Sequence, residues 1–248
     1  SANMDEIMEF AHQNSLKVVE DACQAIGIKW NGKHCGTFGD VGCFSFFADK
    51  TITTGEGGFV VTNDKEINDS MMYLRNQGRL NRGSFIHPEI GYNFRMPEVC
   101  AAMGLAQLDK IDSLVQKRID IANLYITAVE GCEWLKPQFV SEKALHSYWA
   151  FTLKLESNIH NISWTEFRDC FIKNGGKTFY GAWSISYLEP SLLGLQFPSN
   201  NLIYKKGLCP IAETIQPNLI QLKTNFESME IAKKQALILS QTIDELSI

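Results

Sequence analysis

Apolar residues recur at helical spacing over residues 4–13, where Met4, Ile7, Met8, Phe10 and Ala11 fall on one side and Asn3 or Ser1 stands where a cap belongs. A short apolar run at 16–19 follows and reads as a strand of a buried parallel sheet. Asp21 falls just past its carboxyl end, where open α/β sheets place ligand-binding groups. Residues 26–30 and 41–47 read as further strands, divided by turns at Gly32, Gly36 and Gly39, and 58–62 as another. A helix is expected over 64–76, capped by Asn63. Residues 78–92 have turn composition and few periodic apolar positions, so an exposed loop is expected. Pro97 opens a helical region that runs, with a bend near Leu108, to about Val129. Its expected core stripe is Ala101, Leu105, Leu108, Ile111 and Leu114.

The pattern changes at 131–138. Beyond it strands are expected at 148–155 and 177–180, a helix at 164–173, irregular chain at 190–206 and a closing helix at 226–246. The expected fold class is α/β. Residues 1–130 form a partial large domain with a mixed, mostly parallel sheet and a long connecting helix, and 131–248 a small α+β domain.

Composition narrows the function. The chain has 248 residues, 45% hydrophobic and 21% charged, with net charge −5 and no basic block, so neither nucleic acid nor an anionic membrane surface is an expected partner. No apolar run is long enough to span a bilayer, and no signal peptide opens the sequence. The seven cysteines are scattered without a Cys-x-x-Cys pair and read as reduced thiols of a cytoplasmic protein, with no metal site. Cys23 lies beside a candidate site residue and is expected to pack rather than react.

Lys50 carries the strongest chemical signal. The strand-like run Cys43-Phe44-Ser45-Phe46-Phe47 delivers it to a turn, and Gly55-Glu56-Gly57-Gly58 follows before the next strand. A lysine amine held out of water loses its proton more readily and becomes a nucleophile able to form a Schiff base with an aldehyde such as pyridoxal phosphate. That chemistry also needs a carboxylate against the pyridine nitrogen, and Asp21 is the candidate. Gln24, one turn on, is placed to bond the ring hydroxyl. The glycines at 55, 57 and 58 lack the strand–GxGxxG–helix context of a nucleotide fingerprint.

Glu20-Asp21-Ala22-Cys23-Gln24-Ala25, Gly36-Thr37-Phe38-Gly39-Asp40, Cys43-Phe44-Ser45-Phe46-Phe47, the run from Lys50 to Gly58, and Gly91-Tyr92-Asn93-Phe94-Arg95-Met96 occur in the order of the DegT/DnrJ/StrS sugar aminotransferases. The chain resembles that family, with Lys50-Thr51-Ile52-Thr53-Thr54-Gly55-Glu56-Gly57-Gly58 most like its perosamine-synthase branch. The resemblance is dense over 4–111 and thin beyond. It implies a pyridoxal phosphate-dependent transferase of fold type I. Lys50 would bind the cofactor and move protons, Asp21 would face the ring nitrogen, and Gln24 and Ser45 would be cofactor contacts. Asn93 would reach the phosphate in a partner subunit, making a homodimer with shared sites. A sister branch carries histidine in place of this lysine and dehydrates its sugars, so Lys50 points to amination. The implied reaction moves an amino group from glutamate to C4 of a nucleotide-linked 4-keto-6-deoxy sugar, in polysaccharide biosynthesis.

Other residues keep two readings. Arg95 either pairs with a substrate carboxylate or makes a structural ion pair, and His87 either contacts the sugar nucleotide or is structural. Ser45 and Asn93 also suit local backbone bonding. The family's Arg-Pro-rich stretch with its following histidine is replaced here by Tyr180-Gly181-Ala182-Trp183-Ser184-Ile185-Ser186-Tyr187-Leu188-Glu189-Pro190, which leaves a 3-keto sugar or an inosose open as acceptor. Trp183 and Tyr187 are expected in a core or interface. The resemblance also implies a segment before residue 1 that holds the cofactor phosphate and supplies a stacking aromatic. A fragment of the enzyme is therefore expected, inactive alone or serving in dimerisation, with apolar large-domain surface exposed.

Overall fold

The computed structural model describes residues 1–79, 83, 85–196 and 202–247. In chain order the elements are α1 (Met4–Gln13), β1 (Val19–Asp21), β2 (Lys29–Trp30), β3 (Lys33–His34), β4 (Val41–Ser45), β5 (Gly58–Val61), α2 (Lys65–Leu74), α3 (Glu98–Leu108), α4 (Ile111–Ala128), β6 (Leu135–Pro137), β7 (Ala144–Leu145), β8 (Ala150–Leu155), α5 (Trp164–Lys173), β9 (Tyr180–Gly181), α6 (Pro210–Ile215), β10 (Leu219–Lys223) and α7 (Met229–Leu246). The chain divides into two compact units, Ser1–Lys117 with Val140–Trp149, and Arg118–Phe139 with Ala150–Ile248. None of the described helices is long and apolar enough to cross a membrane.

In the first unit β1 lies parallel to β4, and β5 returns antiparallel on the other side of β4. The first strand starts at Val19, not at 16, because Asp40 holds the residues before it. Its carboxylate accepts the Val18 N–H at 2.9 Å, and its own N–H donates to Val18 O at 2.9 Å, so the ladder opens at the Val19–Val41 pair. Asp21 is thereby the last residue of β1 rather than a residue beyond it. Asn3 caps α1, accepting the Glu6 N–H. Asp64, not Asn63, caps α2, since its carboxylate reaches the N–H groups of Glu66 and Ile67. The long helical region is two helices, broken at Asp109 and Lys110. Only part of its expected stripe is covered. Ile111 and Leu114 pack on the cluster of Ala22, Ile26, Phe44 and Ile52, while Leu105 and Leu108 are exposed.

A second small sheet orders β3, β2 and β7. Its outer strand comes from the 140–149 segment, which returns to pair Trp30 with Ala144 and Lys29 with Leu145. Around it lies the cluster of Met4, Ile28, Trp30 and Cys35.

The second unit carries an antiparallel sheet in the order β6-β8-β10-β9. Alternate residues of β8 (Phe151, Leu153, Leu155) and β10 (Ile220, Leu222) are buried, the period of a half-covered sheet. The helices supply the other side of this core with Phe167 and Phe171 from α5 and Leu239 and Ile243 from α7. The strand expected at 148–155 begins at Ala150 because Tyr148 is left-handed, with φ of 48°. Of the strand expected at 177–180 only Tyr180–Gly181 pairs, since the Lys177 N–H donates to the buried Gln235 side chain at 2.6 Å. Trp183 is 84% exposed and belongs to no core of this chain, and the Tyr187 hydroxyl donates to Glu213 at 2.5 Å.

Candidate active site

Lys50 sits on the loop joining β4 to β5. The loop is tied off at its neck by Phe46 N to Gly57 O at 2.9 Å and Thr54 N to Phe46 O at 3.0 Å. Thr53 Oγ1 donates to Phe46 O and accepts from the Gly55 N–H, both at 2.9 Å. Inside the loop Ile52 and Thr54 are buried at 3% and 2% exposure, so the turn has a small core of its own. Gly58 is required where β5 begins its pairing with β4, opposite Ser45, since a Cβ there would lie 2.4 Å from Phe44 O. From this frame the Lys50 side chain emerges only 11% exposed, with its Nζ 3.6 Å from an Asp49 carboxylate oxygen and 4.6 Å from the centre of the Trp149 ring.

Asp21 faces the same region. Its carboxylate accepts the Cys23 N–H at 3.1 Å. Bonds from the Cys23 thiol and backbone hold its pKa below the ordinary carboxylate value, and the Lys50 charge adds to them, so Asp21 is ionised. Burial, reinforced by Asp21, pushes the Cys23 thiol up to about 11. Cys23 is thus an unreactive thiol whose Sγ donates to Cys43 O at 3.9 Å while its backbone N–H serves Asp21. Gln24 is exposed on the turn after β1. Ser45 ends β4, and its Oγ accepts the Phe47 N–H at 3.1 Å, leaving the hydroxyl proton to donate.

The remaining predicted site residues gather around the end of α2. The strip 74–77 bonds to 92–94 through Tyr92 N to Leu74 O at 2.6 Å, Gln77 N to Tyr92 O at 2.8 Å and Phe94 N to Arg75 O at 3.0 Å, with Asn93 opposite Asn76. Arg95 Nη1 donates to Asn76 Oδ1 at 2.8 Å, and the His87 ring bonds Gln77 O at 2.8 Å. Arg95 therefore has a neutral structural partner here rather than an ion pair. Asn93, Arg95 and His87 are all exposed. Gly78 and Gly91 pinch the base of this loop, where a Cβ on Gly78 would fall 1.8 Å from Glu89 O.

Two residues of the site escaped the sequence reading. Gln107 of α3 grips the backbone of the lysine loop at Thr53. Trp149, 99 positions after Lys50 in the sequence, lies beside the amine. Neither has a local motif, and only the long-range pairing of β7 signals the return of Trp149.

The profile of the DegT/DnrJ/EryC1/StrS aminotransferase family matches residues 1–235. The chain belongs to this family. It is similar to the GDP-perosamine synthase of Vibrio cholerae, with 34% identity over 210 residues, 84% of this chain and 57% of that protein. The GDP-perosamine synthase of Escherichia coli O157:H7 is 42% identical over 151 residues, 61% of this chain and 41% of that protein. A relative in Acidithiobacillus ferrooxidans, named UDP-N-acetyl-3-dehydro-alpha-D-glucosamine 3-aminotransferase, is 35% identical over 157 residues, 63% of this chain and 42% of that one. Among solved structures, Helicobacter pylori PseC, an aminotransferase involved in the biosynthesis of pseudoaminic acid, superposes with a TM-score of 0.84 at 26% identity. The match covers 99% of this chain and 64% of PseC. The DegT/DnrJ/EryC1/StrS fold is thus present over nearly the whole chain. The chain spans about half the length of the curated relatives it matches.

Proposed function

We propose that the protein to which this chain belongs is a pyridoxal phosphate-dependent aminotransferase. It transfers an amino group from glutamate to C4 of a nucleotide-linked 4-keto-6-deoxy sugar, for polysaccharide biosynthesis in the cytoplasm. The observation that carries the reading is a shielded lysine amine, that of Lys50, whose charge reaches an ionised carboxylate, that of Asp21. This donor set fits the cofactor: an amine for its aldehyde, a carboxylate for its pyridine nitrogen, and the Ser45 hydroxyl for its phosphate. When bound, the cofactor supplies an electron sink that acidifies the carbon bearing the amino group.

Lys50 would hold the cofactor through its amine, and the same amine would be the group placed to take up and return a proton. Asp21, kept ionised by Cys23, would face the ring nitrogen and favour a proton there. Gln24 orients the ring hydroxyl, and Asn93 serves a partner subunit, with His87 and Arg95 toward the substrates. The exposed apolar side chains of α3 and its approach, Val99 at 69%, Leu105 at 65% and Ile90 at 87%, support a homodimer that covers them. Seven free thiols support a reducing compartment.

The GDP-perosamine synthase relatives favour a GDP-linked acceptor aminated at C4. A second reading, amination at C3, is favoured by the 3-aminotransferase relative. The deciding experiment treats the protein with pyridoxal phosphate, reduces it with borohydride and maps peptides. A pyridoxyl group confined to Lys50 is expected. No adduct, either on this chain or on the full-length protein, would overturn the reading in favour of a non-catalytic role. Glutamate consumption with 4-keto and 3-keto sugar nucleotides then separates C4 from C3.

A further inference from the structure

We infer that Trp149 is a positioning residue for the Lys50 amine, brought to it by the 140–149 segment. The inference deepens the reading above, in which Lys50 is the reacting amine. The indole makes two contacts with the lysine turn. Its ring centre lies 4.6 Å from Lys50 Nζ, and its Nε1–H donates to Asp49 O at 3.1 Å. The second contact ties the ring to the peptide immediately before Lys50, so ring and lysine are held as a pair. A lysine stem has four rotatable bonds, and its amine wanders unless something fixes it. The π face attracts the ammonium and keeps water from one side of it, while the Asp49 carboxylate at 3.6 Å faces it from within the turn.

The segment that carries Trp149 is built to hold it there. It is joined to the first unit by the β2–β7 pairs, by Asn31 N to Lys143 O at 2.8 Å and by the Lys143–Asp5 ion pair at 2.8 Å. Ser147 is wholly buried. Tyr148, one residue before the indole, is left-handed at φ 48°, and its N–H donates to His146 Nδ1 at 3.0 Å. A non-glycine residue keeps that conformation only where its surroundings over-determine it. The residue after this left-handed position is Trp149, whose side chain reaches Lys50.

The test compares the full chain with Trp149→Leu and Trp149→Phe, each checked for folding by thermal melting. The first readout needs no cofactor: each lysine is labelled with a neutral acetylating reagent, and its rate is taken from peptide masses. We expect Lys50 to label about fivefold faster in Trp149→Leu, with the other lysines unchanged, and Trp149→Phe to stay within about twofold of the original because the ring remains. The second readout is borohydride trapping of pyridoxal phosphate, expected to fall in Trp149→Leu as labelling rises. Opposite movements at one lysine are not the signature of general loosening, which raises labelling everywhere. Unchanged labelling of Lys50 in a folded Trp149→Leu protein overturns the inference. Should that variant not fold, Trp149→Met, which fills the space without a π face, takes its place. No trapping in the original protein overturns the cofactor reading alone, since the labelling contrast is measured without cofactor.

Discussion

Gln107 and Thr53 clasp each other's polar groups in both directions. The Thr53 N–H donates to Gln107 Oε1 at 3.1 Å, and Gln107 Nε2 donates back to Thr53 O at 2.6 Å. A loop backbone has no ladder partner of its own, and a side-chain amide with one donor and one acceptor end replaces the missing strand. The approach depends on Gly104, one turn earlier, where a Cβ would come within 3.0 Å of the Thr54 methyl. A helix far along the chain thus fixes the turn that carries Lys50.

Replacing Gln107 by Leu keeps its bulk and removes both bonds. We expect a loss of about 2 kcal/mol, since two backbone groups of a part-buried loop are left unpaired. Urea denaturation would measure it. Trapping of pyridoxal phosphate by Lys50 should fall as well. Stability and trapping both equal to the original would mean that the clasp does not hold the loop.

Asp21→Asn removes the charge while keeping the shape. Because the folded-state pKa of Asp21 lies below the ordinary value, the carboxylate is intact at neutral pH and is lost only as pH falls below the usual carboxylate range. If Asp21 holds the ring proton, amino transfer should drop by about two orders of magnitude or more across the neutral range, while the Lys50 adduct still forms. A variant with full transfer activity would remove Asp21 from that role.

Glu20 points the opposite way from Asp21 along β1. Its carboxylate accepts the N–H groups of Gly36 at 2.6 Å, Phe38 at 2.5 Å and Gly39 at 2.7 Å, gathering the loop that leads into β4. Glu20→Gln presents one acceptor where the carboxylate presents two. A destabilisation of about 2 kcal/mol is expected, read by chemical denaturation. A change of a few tenths would show that the loop keeps its shape without the carboxylate.

His146 links stability to pH. Burial lowers its pKa from 6.5 to about 4, so the folded protein holds the ring neutral, with Nδ1 accepting the Tyr148 N–H. A group whose pKa is depressed on folding stabilises fully above its unfolded value and loses that contribution as pH falls toward the folded one. Stability should therefore decline between pH 6.5 and about 4, by about 2 kcal/mol from this residue. His146→Asn, whose amide oxygen can take the same N–H, should flatten the curve over that window. An unchanged slope would assign the pH dependence to other groups.

Local chemistry carried much of this protein into view. The spacing of Met4 and Ala11 is decided within a few residues of each position, so α1 appears over 4–13 where the pattern puts it, though Ile7 and Phe10 of the same face are exposed, while β8 and α7 appear with their starts moved to Ala150 and Met229. Lys50 was marked by the strand, turn and glycines around it, whereas Asp21 and Ser45 gained a site reading only from the resemblance, and the family match agrees with that resemblance. What the sequence left undecided depends on contacts between distant segments. Asp40 moved the start of β1 by bonding Val18, and Gln235 took the N–H of Lys177 from its expected ladder. The strand β10 escaped notice because nothing near it in sequence announces β8 as its partner. Residues 140–149 return to the first unit through two short strands too brief to leave a pattern. Sequence alone thus determined the family and nominated the candidate residues. Only the tertiary structure decided which groups hold them, Gln107 on the loop and Trp149 on the amine, because those partners meet through long-range packing that no local periodicity encodes.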